Sequence, residues 1–357
     1  MSRRLRDYVV LVTGSSGFLG QHLVGLLQTH AEHVTEIRVL DTQPYVNKTE
    51  FRAKKPVRHF VGSILDLDLM KEACRGVDCV FHLASIIDIS LFADMERSYQ
   101  INVEGTKTVI EACKTTGVKR LIYCSSAGVI LGYDDIIDGR EDGLEYPREH
   151  LFPVYGKTKQ QAEELVIQAN GSTLQTASIR PAAIYGDLDW KSLGTLYGNR
   201  FTKATGYYVY VDFSFKHTDW VYVGNVAWAF IQADMTLREN KHPEAAGQCY
   251  FITDDTPKME GQGAMFTMVK DSGLKLFPLS PPMWLQMVLM RVFIFVLTFI
   301  SLFWTVNFSL GKWICYMRGM TWLLDRQKAT HLLGYEPLFG PDEVKQRVVK
   351  YIRSISN

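Results

Sequence analysis

The sequence predicts an α/β protein built on a doubly wound parallel sheet, because short β-branched runs alternate with amphipathic helical stretches and a glycine-rich turn joins the first such pair. The runs Tyr8 to Thr13, Ile37 to Leu40, Val57 to Val61, Cys79 to Ala84 and Leu121 to Cys124 have the make-up of strands covered by helices on both faces. Between them, Phe18 to His30, Leu67 to Arg75 and Asp94 to Thr116 carry apolar residues three and four apart, the helical spacing. Gln160 to Ala169 continues a helix that Tyr155 opens, and Thr176 to Ile179 reads as a sixth strand ending at Arg180-Pro181. This first half covers residues 1–180. Residues 181–357 form a smaller C-terminal region whose pattern loosens into loops and aromatic clusters from Ala182 to Pro278, as in a ligand-binding half, and which closes with a C-terminal helix.

A chain of 357 residues, 47% hydrophobic, can bury a full core. A formal net charge of +1 gives no basic field for nucleic acid, although Arg3, Arg4 and Arg6 make the N-terminus locally positive. The six cysteines lack paired CxxC spacing and read as reduced thiols. His22, His59 and His217 lack metal-ligand spacing, so no metal is expected, and His82 sits inside a strand as a structural residue.

Directly after the first strand comes Thr13-Gly14-Ser15-Ser16-Gly17-Phe18-Leu19-Gly20. Gly14 and Gly17 can turn tightly and let backbone N–H groups approach a pyrophosphate, while Gly20 lets helix and strand pack closely, the signature of a Rossmann-type dinucleotide site. Asp41 ends the second strand about 20 residues on, where a carboxylate accepts hydrogen bonds from the adenosine ribose and repels a 2′-phosphate. That favours NAD over NADP. Tyr155 and Lys159 lie four apart on one helix face, so the ammonium can lower the phenol pKa and hold the nicotinamide ribose. Ser126, at the end of the fifth strand, supplies a hydroxyl to orient a substrate oxygen. Together the three predict oxidation of a secondary alcohol.

The glycine loop, Phe81-His82-Leu83-Ala84, Asn102-Val103-Glu104-Gly105-Thr106, Ser125-Ser126, the Tyr155/Lys159 pair and Arg180-Pro181-Ala182-Ala183-Ile184-Tyr185-Gly186 resemble the extended short-chain dehydrogenases. Val221-Tyr222-Val223-Gly224-Asn225-Val226-Ala227-Trp228 and Tyr250-Phe251-Ile252-Thr253-Asp254-Asp255-Thr256-Pro257 resemble, more narrowly, the 3β-hydroxysteroid dehydrogenase/Δ5-Δ4 isomerase family. The resemblance implies oxidation of a 3β-hydroxy-Δ5-steroid to the 3-ketone, then migration of the double bond to Δ4. It extends the NAD-binding set to Ser63, Ile64, Ala84, Pro181 and Ile184, beside Gly14, Ser16, Gly17, Phe18, Leu19, Gly20, Asp41, Tyr155 and Lys159. Isomerisation takes a proton from C4 and returns one at C6. Adjacent carboxylates in an apolar cleft could hold that proton, which makes Asp254 and Asp255 the candidates; Asp-Asp-Thr-Pro is equally good turn chemistry. Two stretches depart from the family pattern. Gly62-Ser63-Ile64-Leu65-Asp66 has Ser63 where many relatives carry an Asp at the adenine, and Ala127 to Gly132 replaces an acidic pattern and looks more like sterol-type branches. A sterol 4-carboxylate 3-dehydrogenase that loses CO2 is therefore an alternative, as is a nucleotide-sensing protein without catalysis.

Residues 283–311 contain a single charge, Arg291. That length can reach across a bilayer, but Leu332 to Ile355 resembles the closing part of the catalytic fold, so a single crossing would strand it on the far side. Shallow insertion or a re-entrant hairpin keeps one fold on one side. The expected partners are thus a sterol or steroid substrate and a lipid membrane, with a homodimer allowed. The resemblance implies the endoplasmic reticulum membrane, catalytic domain in the cytosol, or a mitochondrial membrane.

Overall fold

The computed structural model describes residues 8–208, 216–258, 263–277, 282–304, 306, 308, 311–317 and 319–356. Arg3, Arg4 and Arg6 lie outside them. In chain order the first elements are β1 (Val9–Thr13), α1 (Phe18–Thr29), β2 (Glu36–Asp41), β3 (Val57–Val61), α2 (Leu67–Cys74), β4 (Cys79–His82), α3 (Met95–Tyr99), α4 (Gly105–Thr116), β5 (Arg120–Cys124), β6 (Ile136–Gly139), α5 (Pro153–Gln168), β7 (Gln175–Pro181) and β8 (Ala183–Tyr185). There follow α6 (Leu193–Tyr197), α7 (Arg200–Thr205), β9 (Tyr207–Tyr208), β10 (His217–Thr218), β11 (Trp220–Tyr222), α8 (Val223–Glu239), β12 (Gln248–Ile252), α9 (Gly263–Asp271), β13 (Lys275–Leu276), α10 (Met283–Ile300), α11 (Ile314–Met317), β14 (Thr321–Leu324), α12 (Gln327–Leu333) and α13 (Pro341–Ser356).

The main sheet is parallel throughout, in the order β12-β7-β5-β4-β1-β2-β3. Alternate residues of β1 feed different cores. Val10 and Val12 join one hydrophobic cluster and Val9 and Leu11 the other, which is why the strand is apolar from Val9 to Val12. The chain order reverses between β1 and β4, and a crevice at the strands' C-terminal ends is where such sheets receive ligands.

The division at residue 180 does not hold in space. The chain returns to the first half: α8 packs on α1, and β12 adds a seventh strand beside β7. The stretch from Asp94 to Thr116 is also not one regular helix. A π-helical turn at Gln100–Glu104 separates α3 from α4. The smaller region is built on the short parallel sheet β10-β14-β6 and the pairs β11-β8 and β13-β9.

No helix among the described residues is long and apolar enough to cross a membrane. α10 nonetheless projects an apolar face to the outside, with Phe295 73% and Phe299 59% exposed, followed by Leu302 at 72% and Trp304 at 68%. Because β14 follows α10 and pairs with β10 and β6, both flanks of this helix belong to one folded body.

Candidate active site

The glycine loop is as tight as its composition requires. Gly14 has φ +73°, and a Cβ there would lie 2.7 Å from the Ala84 nitrogen. A Cβ on Gly20 would lie 2.3 Å from the Gly14 carbonyl oxygen, so α1 can pack this closely on the loop only with glycine there. Gly17 caps α1 with no side-chain hydrogen bond and no acidic residue in the first turn, which leaves that turn's N–H groups for an anion. Leu19 is buried, and Phe18 packs edge-on against His22. Asp41, the last residue of β2, accepts from the Ser16 N–H at 3.0 Å and the Gln43 N–H at 3.2 Å. The Asp41 carboxylate is thereby fixed beside the loop with lone pairs left for ribose hydroxyls. A dinucleotide fits this cradle.

The outer members of the proposed set contribute differently. Ser63 accepts from the Leu65 N–H at 3.1 Å in a turn at the end of β3. The Ile64 side chain is buried against Gly105, so only its backbone can serve a ligand. Ala84 flanks Gly14, Pro181 ends β7 paired with Ile252, and Ile184 lies in β8 opposite Val221.

Ser126 follows β5 and caps a 3₁₀ turn, its Oγ accepting from the Gly128 N–H at 3.0 Å. That leaves the hydroxyl hydrogen to donate elsewhere. α5 supplies Tyr155 and Lys159 from successive turns. A Cβ on Gly128 would lie 3.1 Å from Ser126 Oγ and 3.8 Å from the Tyr155 ring, so one glycine marks where serine and tyrosine converge. On its far side α5 comes close through Gly156, where a Cβ would meet the His150 ring at 2.9 Å.

Lys159 is buried, and its Nζ donates to the Cys124 carbonyl at 2.5 Å over the Tyr123 ring face, 4.2 Å from the centroid. Burial pulls its pKa down to about 8. The expected lowering of the Tyr155 phenol by this ammonium is not what the geometry gives. Burial instead pushes the phenol well above its usual range, the Ser126 hydroxyl acting against that shift. One of the three ammonium donors is taken by the β5 carbonyl.

Three residues outside the expected set complete the arrangement. Glu163, one turn beyond Lys159, is fully buried; it binds Arg180 at 2.6 Å and accepts from Ser178 Oγ at 2.5 Å and from the Tyr146 hydroxyl at 2.8 Å. Burial opposes its charge, but Arg180 prevails and holds its pKa below the usual range. Asn102, in the π-helical turn, accepts from the Ile86 N–H at 2.8 Å and donates to the Ile86 carbonyl and Thr158 Oγ1 at 3.0 Å, tying the chain after β4 to α5. Trp313 donates from its indole to the Ile89 carbonyl at 2.7 Å and stacks edge-on with Phe152, 5.4 Å away, at the entry to α5. Glu163 continues the four-residue spacing of Tyr155 and Lys159, a signal present in the sequence; Trp313 left none. His82 is a core residue, its ring between Thr13 Oγ1 at 2.8 Å and Thr106 Oγ1 at 3.1 Å, and burial drops its pKa to about 3.

Asp254 and Asp255 are occupied with structural work. Asp254 accepts from the Tyr222 N–H and Asn225 Nδ2, both at 2.8 Å, and from the Thr256 N–H at 2.9 Å. It therefore ties the chain entering α8 to the end of β12 and closes the Asp-Asp-Thr-Pro turn. Asp255 is exposed and paired with Arg326 at 2.8 Å. The cleft they line, about 510 Å³, also presents Asp138, Arg140, Lys258 and Arg326, so it is not the apolar surrounding that would make them share a proton.

Residues 11–279 match the family described as the 3-beta hydroxysteroid dehydrogenase/isomerase family. Solved structures share the fold at low identity. An epimerase from the methanogen Methanothermobacter thermautotrophicus has a TM-score of 0.70 at 19% identity, over 98% of this chain and 93% of that one. A UDP-glucose 4-epimerase of Thermotoga maritima, solved with UDP-glucose, has 0.69 at 20% identity, over 98% and 100%. A UDP-glucuronic acid 4-epimerase of Bacillus cereus, solved with UDP-glucuronic acid and NAD, has 0.69 at 20%, over 97% and 99%.

Proposed function

The chain belongs to the 3-beta hydroxysteroid dehydrogenase/isomerase family, and from that premise we propose that it oxidises the 3β-hydroxyl of a steroid to a ketone, with NAD as cofactor. The observation that carries this reading is the convergence of Ser126 and Tyr155 on Gly128, one helical turn from Lys159. Gly14, Ser16, Gly17, Phe18, Leu19 and Gly20 would hold the pyrophosphate and Asp41 the adenosine ribose, with Ser63, Ile64, Ala84, Pro181, Ile184, Tyr155 and Lys159 along the remaining wall. NAD, when bound, supplies the hydride acceptor for the carbinol carbon. Ser126, whose hydroxyl bonds the Tyr155 phenol, would orient the substrate oxygen beside it, and Tyr155, once deprotonated, takes the hydroxyl proton. Lys159, with two N–H donors beyond the one on the Cys124 carbonyl, would hold the nicotinamide ribose and favour that phenolate by its charge.

The isomerisation in the family's description needs a carboxylate free to move a proton, and Asp254 holds three donors of its own fold, the Tyr222 and Thr256 N–H groups and the Asn225 amide. This favours a second reading, dehydrogenation in which those two aspartates move no proton. Incubation with NAD and a Δ5-3β-hydroxysteroid, following NADH and the conjugated enone separately, distinguishes the readings. NADH with enone supports dehydrogenation with isomerisation, NADH alone the second reading, and neither product across several sterols refutes both. Tyr155→Phe is expected to abolish NADH formation with NAD binding retained.

The proposed setting is a lipid surface, the endoplasmic reticulum being the expected one. A sterol partitions into lipid, and α10 turns a patch of large apolar side chains outward, Phe295 and Phe299 among them, which a lipid surface would cover. Flotation with phosphatidylcholine vesicles tests it.

A further inference from the structure

α10 has two unlike faces. Val288, Val292, Phe295 and Phe299 point outward at four- and three-residue spacing, while Ile294 is buried toward the segment holding α11. Arg291, one turn before Ile294, lies on this inner side. Together with Lys312, Cys315 and Tyr316 it lines a pocket of about 270 Å³ between α10 and the chain that follows. Two cations thus face one cavity, and among the described residues neither has a carboxylate or hydrogen-bond partner. An anion entering this cavity would meet positive charge from both elements.

We propose that Arg291 and Lys312 form the seat for the phosphate of an anionic phospholipid headgroup, with the outer face of α10 lying in the adjoining acyl boundary. A guanidinium grips phosphate oxygens in a bidentate fork and an ammonium adds a point charge. Their aliphatic stems lie along apolar surface while the heads reach the phosphate layer. Tyr316, 54% exposed, stands at the rim where amphipathic rings meet headgroups. The charge pattern selects a lipid surface over an apolar protein partner, because the cations sit at the edge of an apolar face that carries no acidic residue. This inference rests on the lipid-surface reading above and adds the headgroup chemistry to it.

The test uses the full chain and vesicles of phosphatidylcholine with and without phosphatidylserine. Two cations near an anionic leaflet correspond to about 30-fold tighter binding to the anionic vesicles. The double variant Arg291→Gln/Lys312→Gln is expected to lose most of that preference while still binding phosphatidylcholine through α10. Both side chains are exposed, so an unchanged Tm certifies the fold. A double variant that keeps the full preference overturns the seat, as does wild-type protein that binds both vesicle types equally; either result leaves the lipid-surface reading standing. Protein that floats with neither vesicle overturns both. Inorganic phosphate at millimolar concentration that protects the pocket from lysine labelling, with no preference for anionic vesicles, would reassign it to a soluble phosphate and overturn the lipid seat.

Discussion

The Lys159 ammonium rests on the face of Tyr123, 4.2 Å from the ring centroid, with the Cys124 carbonyl as its acceptor. Lys159 is therefore held against the sheet as a buried charge. Its pKa is pulled down by burial to about 8, below the 10.5 of a free side chain. The unfolded chain consequently holds this proton more tightly than the folded one. The cost to stability is complete below about pH 8 and fades as pH rises toward 10.5.

Lys159→Met removes that cost, about 3 kcal/mol at neutral pH, along with the carbonyl bond and ring contact, worth about 1–2 kcal/mol. The variant is expected to be inactive yet more stable by about 1–2 kcal/mol at pH 7, with the gain shrinking toward pH 10. Urea titrations of both proteins at pH 7 and pH 9.5 check this. A variant that is less stable at pH 7 would mean the ring and carbonyl contacts outweigh the burial cost.

Asp254 makes the opposite commitment. Three donors meet its carboxylate, and an asparagine would turn its NH₂ toward one of them. Asp254→Asn is expected to cost about 2–3 kcal/mol and to lower NADH and enone formation together. Asp255→Asn breaks only the exposed pair with Arg326 and is expected to cost under about 1 kcal/mol with both products unchanged. Accumulation of the Δ5-3-ketone in either variant, with NADH formation intact, would restore that residue to isomerisation.

What the sequence revealed about the site follows from how local each requirement is. Gly14, Gly20 and Asp41 answer to backbone geometry within one strand-turn-helix unit, and Tyr155 and Lys159 to one helix face, so spacing alone exposed them. The partner of Lys159 depends on where the Cys124 carbonyl falls on another element, and no spacing encodes that. Asp254 was ambiguous for the same reason, since Tyr222 and Asn225 lie about thirty residues upstream and reach it only because β12 ends beside α8. The return of α8 and β12 to the main sheet was hidden by the loose pattern after Ala182. The π-helical turn at Gln100–Glu104 was also hidden, because apolar periodicity runs through it while Asn102 turns to bind both Ile86 and Thr158.

Glu163 is expected to act as a positioning residue, by anchoring the third turn of α5 to β7 through Arg180. Glu163→Gln leaves a buried guanidinium uncompensated, for a loss of about 3–5 kcal/mol. The depressed carboxyl pKa gives the sign of its pH dependence. Its stabilisation is present above the unfolded value near 4.5 and is lost as pH falls through the lower folded value, so the variant's stability should vary less than wild type between neutral and acid pH. Thermal melts from pH 7 down to about pH 2, through the whole range below 4.5, measure this, and parallel wild-type and variant curves would count against it.

Trp313 ties the chain after α10 to the loop following β4 and to the entry of α5. Its indole N–H holds the Ile89 carbonyl, its ring meets Phe152, and a Cβ on Gly311 would strike the ring at 2.6 Å, so this strap is closely fitted. The Phe308 carbonyl accepting from the Leu91 N–H at 3.0 Å adds a second tie to the same loop. Trp313→Phe keeps an aromatic ring on Phe152 and loses one buried hydrogen bond, at about 1 kcal/mol; Trp313→Ala also opens a cavity and is expected to cost about 3–5 kcal/mol. The two variants separate anchoring from wall-forming. If the ring walls the substrate side of Tyr155, the alanine variant raises KM for the steroid several-fold while the Kd for NAD, set by the distant glycine loop, is unchanged, and the phenylalanine variant stays near wild type. Equal loss of NAD and steroid affinity in Trp313→Ala would instead show that the strap supports the fold as a whole.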